Sequence, residues 1–346
     1  MQSKKNLIIS AVAGSGKTTR IIEDCCVNTD KKIIFTTYIN NNSEAIRKKL
    51  TDKFGIVPPN ITVQSWYSFL IEDWVRPYAN TAMNFEIKHI NGMIPTNGIS
   101  AKYTEKGTKP HYFNDDCEIF SDKVAEFGST CNNNTGGKII RRLEGIYDRI
   151  YIDEIQDMNG YDLDILDILM KSKIEMVVVG DTIQNIYDTS PSPWRKKDSE
   201  DVLSYLKNKY AYNSDYESMS YTYRCSVGIC TFINKLFPDV EFKPLNKESE
   251  RFEPQIIRDE ETLTKYVNEL QPLILGHNVN SDPGIGRYMN FKKSKGLEAE
   301  DVVIVATKDY FDYLTKQKGI KKMKSKRILY VAATRARHTI AFYYKK

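Results

Sequence analysis

Apolar runs of strand length recur along the chain, each followed by a stretch with helical spacing of apolar positions. The strand pattern falls at 6–12, 32–37, 147–152, 175–180, 273–276, 301–306 and 338–344, as in 7-LIIS-10, 176-MVVVG-180 and 301-DVVIV-305. Alternation of this kind predicts an α/β fold with parallel sheets, divided into two domains near residue 215. The first domain is expected over 1–215 and the second over 216–346. Within the first, 91-NGMIPTNGISAKYTEKGTKPHYFNDD-116 reads as a loop-rich insertion, and 131-CNNNTGGK-138 as an exposed loop.

Composition narrows the picture only a little. A hydrophobic fraction of 41% in 346 residues suffices for packed cores. Lys+Arg 50 against Asp+Glu 45 leaves a net charge of +5, which permits a polyanion partner without demanding one. The six cysteines form no C-x-x-C pair, and with four histidines no zinc spacing arises. They read as reduced thiols of an intracellular protein. No apolar run approaches membrane-spanning length. The opening 1-MQSKKNLIISAVAG-14 mimics a short signal peptide, but its apolar part is strand-sized and Lys17 and Arg20 follow at once, so a buried strand is expected.

The stretch 11-AVAGSGKTTR-20 meets the pattern G-x-x-x-x-G-K-[ST] with Ala11 in the first place. An ordinary Gly-Ser turn is the plain alternative. Strand, loop, GKT and helix in that order point instead to a phosphate loop. Gly14 and Gly16 allow a tight turn in which successive N–H groups face phosphate oxygens, and the helix beginning near Lys17 adds its positive end. The nucleotide-binding set is Ala13, Gly14, Ser15, Gly16, Lys17, Thr18 and Thr19. Lys17 is expected on the β- and γ-phosphates and the Thr18 hydroxyl on Mg²⁺. At 149-RIYIDEIQD-157 an apolar strand ends in two carboxylates. Asp153 is expected to hold Mg²⁺ through water, and Glu154 to orient and deprotonate the attacking water.

AVAGSGKTT together with DEIQD resembles motifs I and II of superfamily 1 DNA helicases of the UvrD/Rep/PcrA type, and the remaining family motifs follow in order. The segment 33-IIFTTYINNNSEAIRKKL-50 is similar to motif Ia, with Tyr38, Asn40 and Arg47 at its matching positions, and 62-TVQSW-66 to motif Ib, with Gln64 where His is usual. Motif III is matched by 176-MVVVGDTIQNIY-187, motif IV by 221-YTYRCS-226, motif V by 293-KSKGLEAEDVVIV-305 and motif VI by 329-LYVAATRARHTIAFYY-344. The resemblance runs from Leu7 to Tyr344. It implies two RecA-like domains with ATP and Mg²⁺ between them, Lys17, Asp153 and Glu154 on one wall and Arg224 and Arg335 on the other. Gln184 would sense the γ-phosphate, Arg224 would touch it, Tyr223 would pack on adenine, Glu298 would lie near the sugar, and Arg335 would act as arginine finger.

The chain departs from the family pattern in four places. An adenine-reading Gln is missing upstream of the loop; Gln2 lies too close. The large accessory insertions are reduced to about 76–142 in the first domain, with little room for one between Ser226 and Asn290. Thr189 replaces the motif III Trp, leaving Trp194 either to supply a stacking ring or to anchor a loop. Asn290 and Lys292 stand where motif V commonly has Thr and His. Contacts to single-stranded DNA are expected from Tyr38, Asn40, Gln64, Trp66, Tyr187, Trp194, Asn290 and Lys292. The basic run 316-KQKGIKKMKSKR-327 could hold phosphates or be a solvated face. The implied activity is an ATP-driven helicase or translocase moving 3′→5′ on single-stranded DNA and at single-strand/duplex junctions. The alternatives are a DNA-stimulated ATPase serving a larger assembly with a protein partner, or a binding module gated by nucleotide without hydrolysis.

Overall fold

The computed structural model describes residues 6–38, 40–96, 98–185, 194, 201–245 and 253–344, without the side chains of Asn40, Asn41 and Lys292. The described residues fall into two compact units. The first takes in those within Met1–Ser10, Thr18–Thr182 and Asp188–Ser218; the second takes in those within Ala11–Lys17, Ile183–Tyr187 and Met219–Lys346.

The first unit is built on a six-stranded sheet. Its strands are β1 (Asn6–Ala11), β2 (Ile33–Thr37), β3 (Ile61–Ser65), β4 (Arg149–Asp153), β5 (Glu175–Gly180) and β6 (Ser214–Met219), in the order β3-β2-β4-β5-β1-β6. The pairs β3/β2, β2/β4, β4/β5 and β5/β1 are parallel. Parallel strands covered on both faces need near-continuous apolar sequence, and β2, β4 and β5 are buried almost throughout. Around them lie α1 (Lys17–Val27), α2 (Asn40–Phe54), α3 (Val124–Asn134), α4 (Asp162–Lys171) and α5 (Val202–Tyr210).

The second unit holds a five-stranded sheet of β7 (Gln255–Ile257), β8 (Leu273–Gly276), β9 (Arg287–Asn290), β10 (Ala299–Val305) and β11 (Ala336–Tyr343), ordered β7-β11-β10-β8-β9 with every pair parallel. Its helices are α6 (Val227–Leu236), α7 (Glu260–Leu270), α8 (Lys308–Lys316) and α9 (Met323–Ala333). Both sheets are built largely of parallel pairs, with helices between most strands in sequence, as the β-α alternation predicts.

Four strands carry no apolar run in the sequence: β3, β6, β7 and β9. β6 and β9 are edge strands with largely polar sequence, SDYESM and RYMN, which discourages pairing with a further chain. The expected insertion also differs from its sequence reading. It contributes Val124, Phe127, Cys131 and Ile139 to the main core of the first unit. Gly92–Ile94, inside the stretch read as loop, pairs in parallel with Glu118–Phe120 just beyond it. The segment 131–138 is exposed loop only in part: Cys131 to Asn134 close α3 with Cys131 and Asn132 buried, because the inward face of α3 extends to them, while 135–137 form a turn with Gly136 exposed. All six cysteines are free. Among the described residues, no helix is long and apolar enough to cross a membrane.

Candidate nucleotide and nucleic-acid sites

In the first unit, chemistry collects at the carboxyl ends of β4 and β5, where a parallel sheet presents its loops. Asp153 is the last residue of β4 and is buried. Its Oδ2 accepts a hydrogen bond from the Thr18 hydroxyl at 3.1 Å, and its Oδ1 accepts the Glu154 N–H at 2.9 Å. The buried Glu154 follows with φ of +60°, a left-handed conformation that a non-glycine residue adopts only at a cost. The turn sends the chain into a short helical segment, Ile155–Asp157, which brings Gln156 back against the carboxylate.

Gln156 is the residue in this group whose role the sequence does not disclose. Its Nε2 donates to Glu154 Oε2, and its Oε1 accepts the Asp181 N–H at 3.1 Å. That approach depends on Gly180, the last residue of β5. A Cβ there would lie 2.4 Å from Gln156 Oε1 and 2.6 Å from Ile155 Cγ2. The signal was present as the glycine in 179-VGD-181, but its meaning lies in a contact 24 residues back along the chain.

In the second unit, the phosphate loop leaves β1 and turns through Gly14 (φ +71°) and Gly16 (φ +79°). The Ala13 N–H donates to the Tyr330 hydroxyl at 3.0 Å, and the Tyr223 N–H donates to the Gly14 carbonyl at 2.9 Å. A Cβ on Gly14 would stand 2.6 Å from Arg224 Cβ and 2.7 Å from Thr222 Oγ1, so glycine is required there by contact as well as by φ. The buried Ser15 hydroxyl has no hydrogen-bond partner among the described residues. A buried hydroxyl in that state is costly, and a phosphate oxygen would satisfy it. Lys17 is half-buried at the start of α1, and Thr19 is exposed in its first turn.

Tyr223 is 72% exposed, and a Cβ on Gly16 would stand 3.4 Å from its ring edge. Arg224 donates through Nη1 to the Thr334 carbonyl at 3.1 Å and through Nη2 to Glu298, while its Nε has no partner among the described residues. Arg337 donates to the other Glu298 oxygen at 2.9 Å. Burial alone would raise the Glu298 pKa, but the Arg224 and Arg337 guanidiniums hold it below the usual carboxylate value. Arg335 is buried and donates to the carbonyls of Val331 (2.9 Å) and Leu297 (3.2 Å) and to the Thr334 hydroxyl (3.3 Å). Gln184 is buried as well.

The residues expected to touch DNA fare unevenly. Trp66 is corrected outright. It is 0% exposed, its indole N–H donates to Asp162 Oδ1 at 2.7 Å, and its ring packs against Phe69, so no base can stack on it. Tyr38 is half-buried, with its hydroxyl bonded to that of Tyr67 at 2.8 Å. Gln64 donates to Asp73 at 2.6 Å. Trp194 is 48% exposed; it stacks on Tyr161 at 5.5 Å between centroids and donates to Asp164 at 2.8 Å, an anchored ring with an open side. Asn290 donates to the His277 carbonyl. Tyr187 and the side chains of Asn40 and Lys292 lie outside the described residues.

The Thr18 hydroxyl beside the Asp153 carboxylate is an oxygen-donor pair of the kind Mg²⁺ takes, and the glycine turn with its orphan Ser15 hydroxyl suits phosphate. The residues present therefore fit both a nucleoside triphosphate and its metal.

Fold and site together define a P-loop protein with two parallel-sheet units. Residues 117–210 match the family model of the UvrD/REP helicase N-terminal domain, which bears out the resemblance to UvrD-type superfamily 1 helicases. No curated protein matches the chain. Among solved structures it is similar to the Arterivirus nonstructural protein 10 helicase (13% identity, TM-score 0.47, 98% of this chain and 59% of that one). It is also similar to the same helicase in complex with DNA (11% identity, TM-score 0.48, 98% and 60%). The chain thus spans about three fifths of the length of those proteins.

Proposed function

We propose that this chain is an ATP-driven motor on single-stranded DNA, moving 3′→5′ and separating duplex at junctions. The observation that carries the proposal is the group at the ends of β4 and β5: Asp153 bonded to Thr18, with Glu154 held by Gln156 and Gln156 held by the Asp181 N–H. A buried Asp153 alone could be a capped strand end. A second buried carboxylate, fixed in a left-handed turn by a buried amide, is the arrangement a general base for water requires.

In this reading the loop N–H groups from Ala13 to Thr19 and the Lys17 ammonium bind phosphates. Thr18 and Asp153 hold Mg²⁺, which when bound neutralises charge on the β- and γ-phosphates. Glu154 takes a proton from the attacking water through the oxygen not bonded to Gln156. Gln184 senses the γ-phosphate. Arg224 and Arg335 supply positive charge, and Arg335 must exchange its carbonyl partners for phosphate oxygen to do so. Tyr223 offers its exposed ring to adenine, and Glu298 lies near the sugar. Tyr38, Asn40, Gln64, Tyr187, Trp194, Asn290 and Lys292 contact the strand. On the same reading the two motor domains are 1–215 and 216–346.

The test is steady-state ATP hydrolysis with and without single-stranded DNA, with Glu154→Gln as the blank. Stimulation that vanishes in the variant supports the motor; no hydrolysis under any condition rejects it for the chain alone. A second reading is a DNA-stimulated subunit that does not unwind duplex by itself. It is favoured by the occupancy of the stretch from Ser226 to Asn290, where the described residues form α6, α7 and β7 to β9. Strand displacement separates the two: ATP-dependent unwinding by the chain alone rejects the second reading.

A further inference from the structure

From the end of α8 into the first turns of α9 the chain carries cations at seven of twelve positions from Lys316 to Arg327, with no carboxylate among them. The structure sorts them. Lys326 turns inward, its ammonium near the Leu236 carbonyl at 3.5 Å and over the Phe237 ring at 5.8 Å. Arg327 donates to the Asn185 carbonyl at 3.5 Å. Lys316 is paired with Asp312 at 2.7 Å. Four cations remain, all exposed: Lys324 in the first turn of α9, and Lys318, Lys321 and Lys322 before it; none of these last three takes part in an ion pair among the described residues.

The loop that displays them is held at several points. α8 ends at Gln317 in a left-handed conformation (φ +54°), the Lys318 N–H donates to the Asp312 carbonyl, Ile320 is buried, and the Tyr310 hydroxyl donates to the Ser325 carbonyl at 2.9 Å. Three like charges within five positions of an anchored turn repel one another, and the nearby carboxylate set against them among the described residues, Asp312, is shared between Lys318 and its ion-pair partner Lys316. A polyanion removes that repulsion. Lysine suits it as a point charge for phosphate. A membrane surface would call for apolar groups beside the charge, and over this stretch Met323 is the exposed large hydrophobic residue while Ile320 is buried.

We propose that Lys318, Lys321 and Lys322 form a phosphodiester-binding surface of the second unit, separate from the residues assigned above to strand contact, which takes the backbone of nucleic acid. This rests on the reading of the chain as a nucleic-acid enzyme.

The experiment measures equilibrium binding, without nucleotide, of a fluorescent single strand and of a duplex hairpin between 50 and 300 mM salt. It compares the wild-type chain, the triple variant Lys318→Gln/Lys321→Gln/Lys322→Gln and the triple Lys→Arg variant at the same positions. Each phosphate contact contributes about 0.9 to the slope of log K against log salt for duplex and about 0.7 for single strands. Three lost contacts should therefore flatten the slope of the Gln variant by about 2.7 on the hairpin or about 2.1 on the single strand, with the Arg variant unchanged. The substrate that shows the flattening identifies the form bound. A Gln variant with wild-type slope on both substrates overturns the proposal and leaves the motor reading intact, as does weaker binding without a change of slope. A wild-type chain that binds neither substrate overturns both.

Discussion

Replacing Gln156 by Met tests whether the buried amide positions Glu154. Methionine is unbranched and close in length to glutamine, so it leaves the packing against Ile155 and Gly180 nearly filled while removing both hydrogen bonds. The Asp181 N–H then loses its Gln156 partner in a site from which water is almost excluded. A buried donor left so costs about 1–3 kcal/mol. For a unit of roughly 200 residues, each kcal/mol lowers Tm by about 2–4 °C. The Glu154 carboxylate loses a charge-assisted donor worth about 1.5–3 kcal/mol, and with it the constraint on which oxygen faces the water. Misplacing a general base removes much of a contribution that is commonly 10²–10⁴-fold, so we expect kcat to fall roughly 10- to 100-fold. KM for the nucleotide should stay within about twofold, because no binding group is touched. Thermal melting and single-turnover hydrolysis measure the two effects. A variant with wild-type kcat would refute the positioning role even if its Tm fell, since the amide would then be serving stability alone.

Three further outcomes are expected. Glu154→Gly should relieve the left-handed strain at this residue, raising stability by up to about 1 kcal/mol in denaturant titrations, while abolishing hydrolysis; a loss of stability would show that the turn is held by the side chain instead. Gly14→Ala should weaken nucleotide binding at least tenfold in a fluorescent-nucleotide titration, because its Cβ would meet Arg224 Cβ at 2.6 Å and its φ is positive. Burial lifts the Asp162 carboxyl from 3.8 to about 6, against the opposing pull of the Trp66 N–H. The folded state thus binds this proton more tightly than the unfolded one. The group's contribution to stability is greatest below about pH 4, falls by about 3 kcal/mol as pH rises to 6, and is flat above. Melting at pH 4.5 and 7 should show this dependence reduced in Asp162→Asn; equal dependence in both chains would contradict it.

Much of this was legible from residue order. Strands such as β4 and β5 announce themselves because a strand buried on both faces must be apolar throughout, and the phosphate loop because glycines and lysine at fixed spacing encode a backbone shape. What stayed hidden depends on distant partners. Trp66 looked available to a base because nothing near it in sequence shows that Asp162, 96 residues on, takes its N–H. Gln156 gains its role only when the sheet sets Gly180 and Asp181 beside it. The polar edges β6 and β9 resemble loops, since an edge strand has no second neighbour to demand apolar side chains. The asparagines closing α3 likewise read as a turn until the core beneath them is seen.

The place of β1 in its sheet bears on how the protein is made. The parallel neighbour of β1, β5, is synthesised about 170 residues after it, as the pairing of Leu7 with Val177 shows. At the roughly 5–20 residues per second of translation, the strand bearing the phosphate loop waits on the order of ten seconds or more for its partner. Until then its apolar run NLIISA is a sticky, unpaired segment, and closing so long a loop makes its insertion a late event. Nascent chains halted before residue 175 should therefore engage holding chaperones through the strand Asn6–Ala11, and chains halted well beyond it should not; cross-linking from Ile8 or Ile9 would distinguish the two. The candidate nucleotide site is, on this view, among the last parts of the first sheet's surroundings to come into being, although its loop is made well before the strand that β1 must pair with.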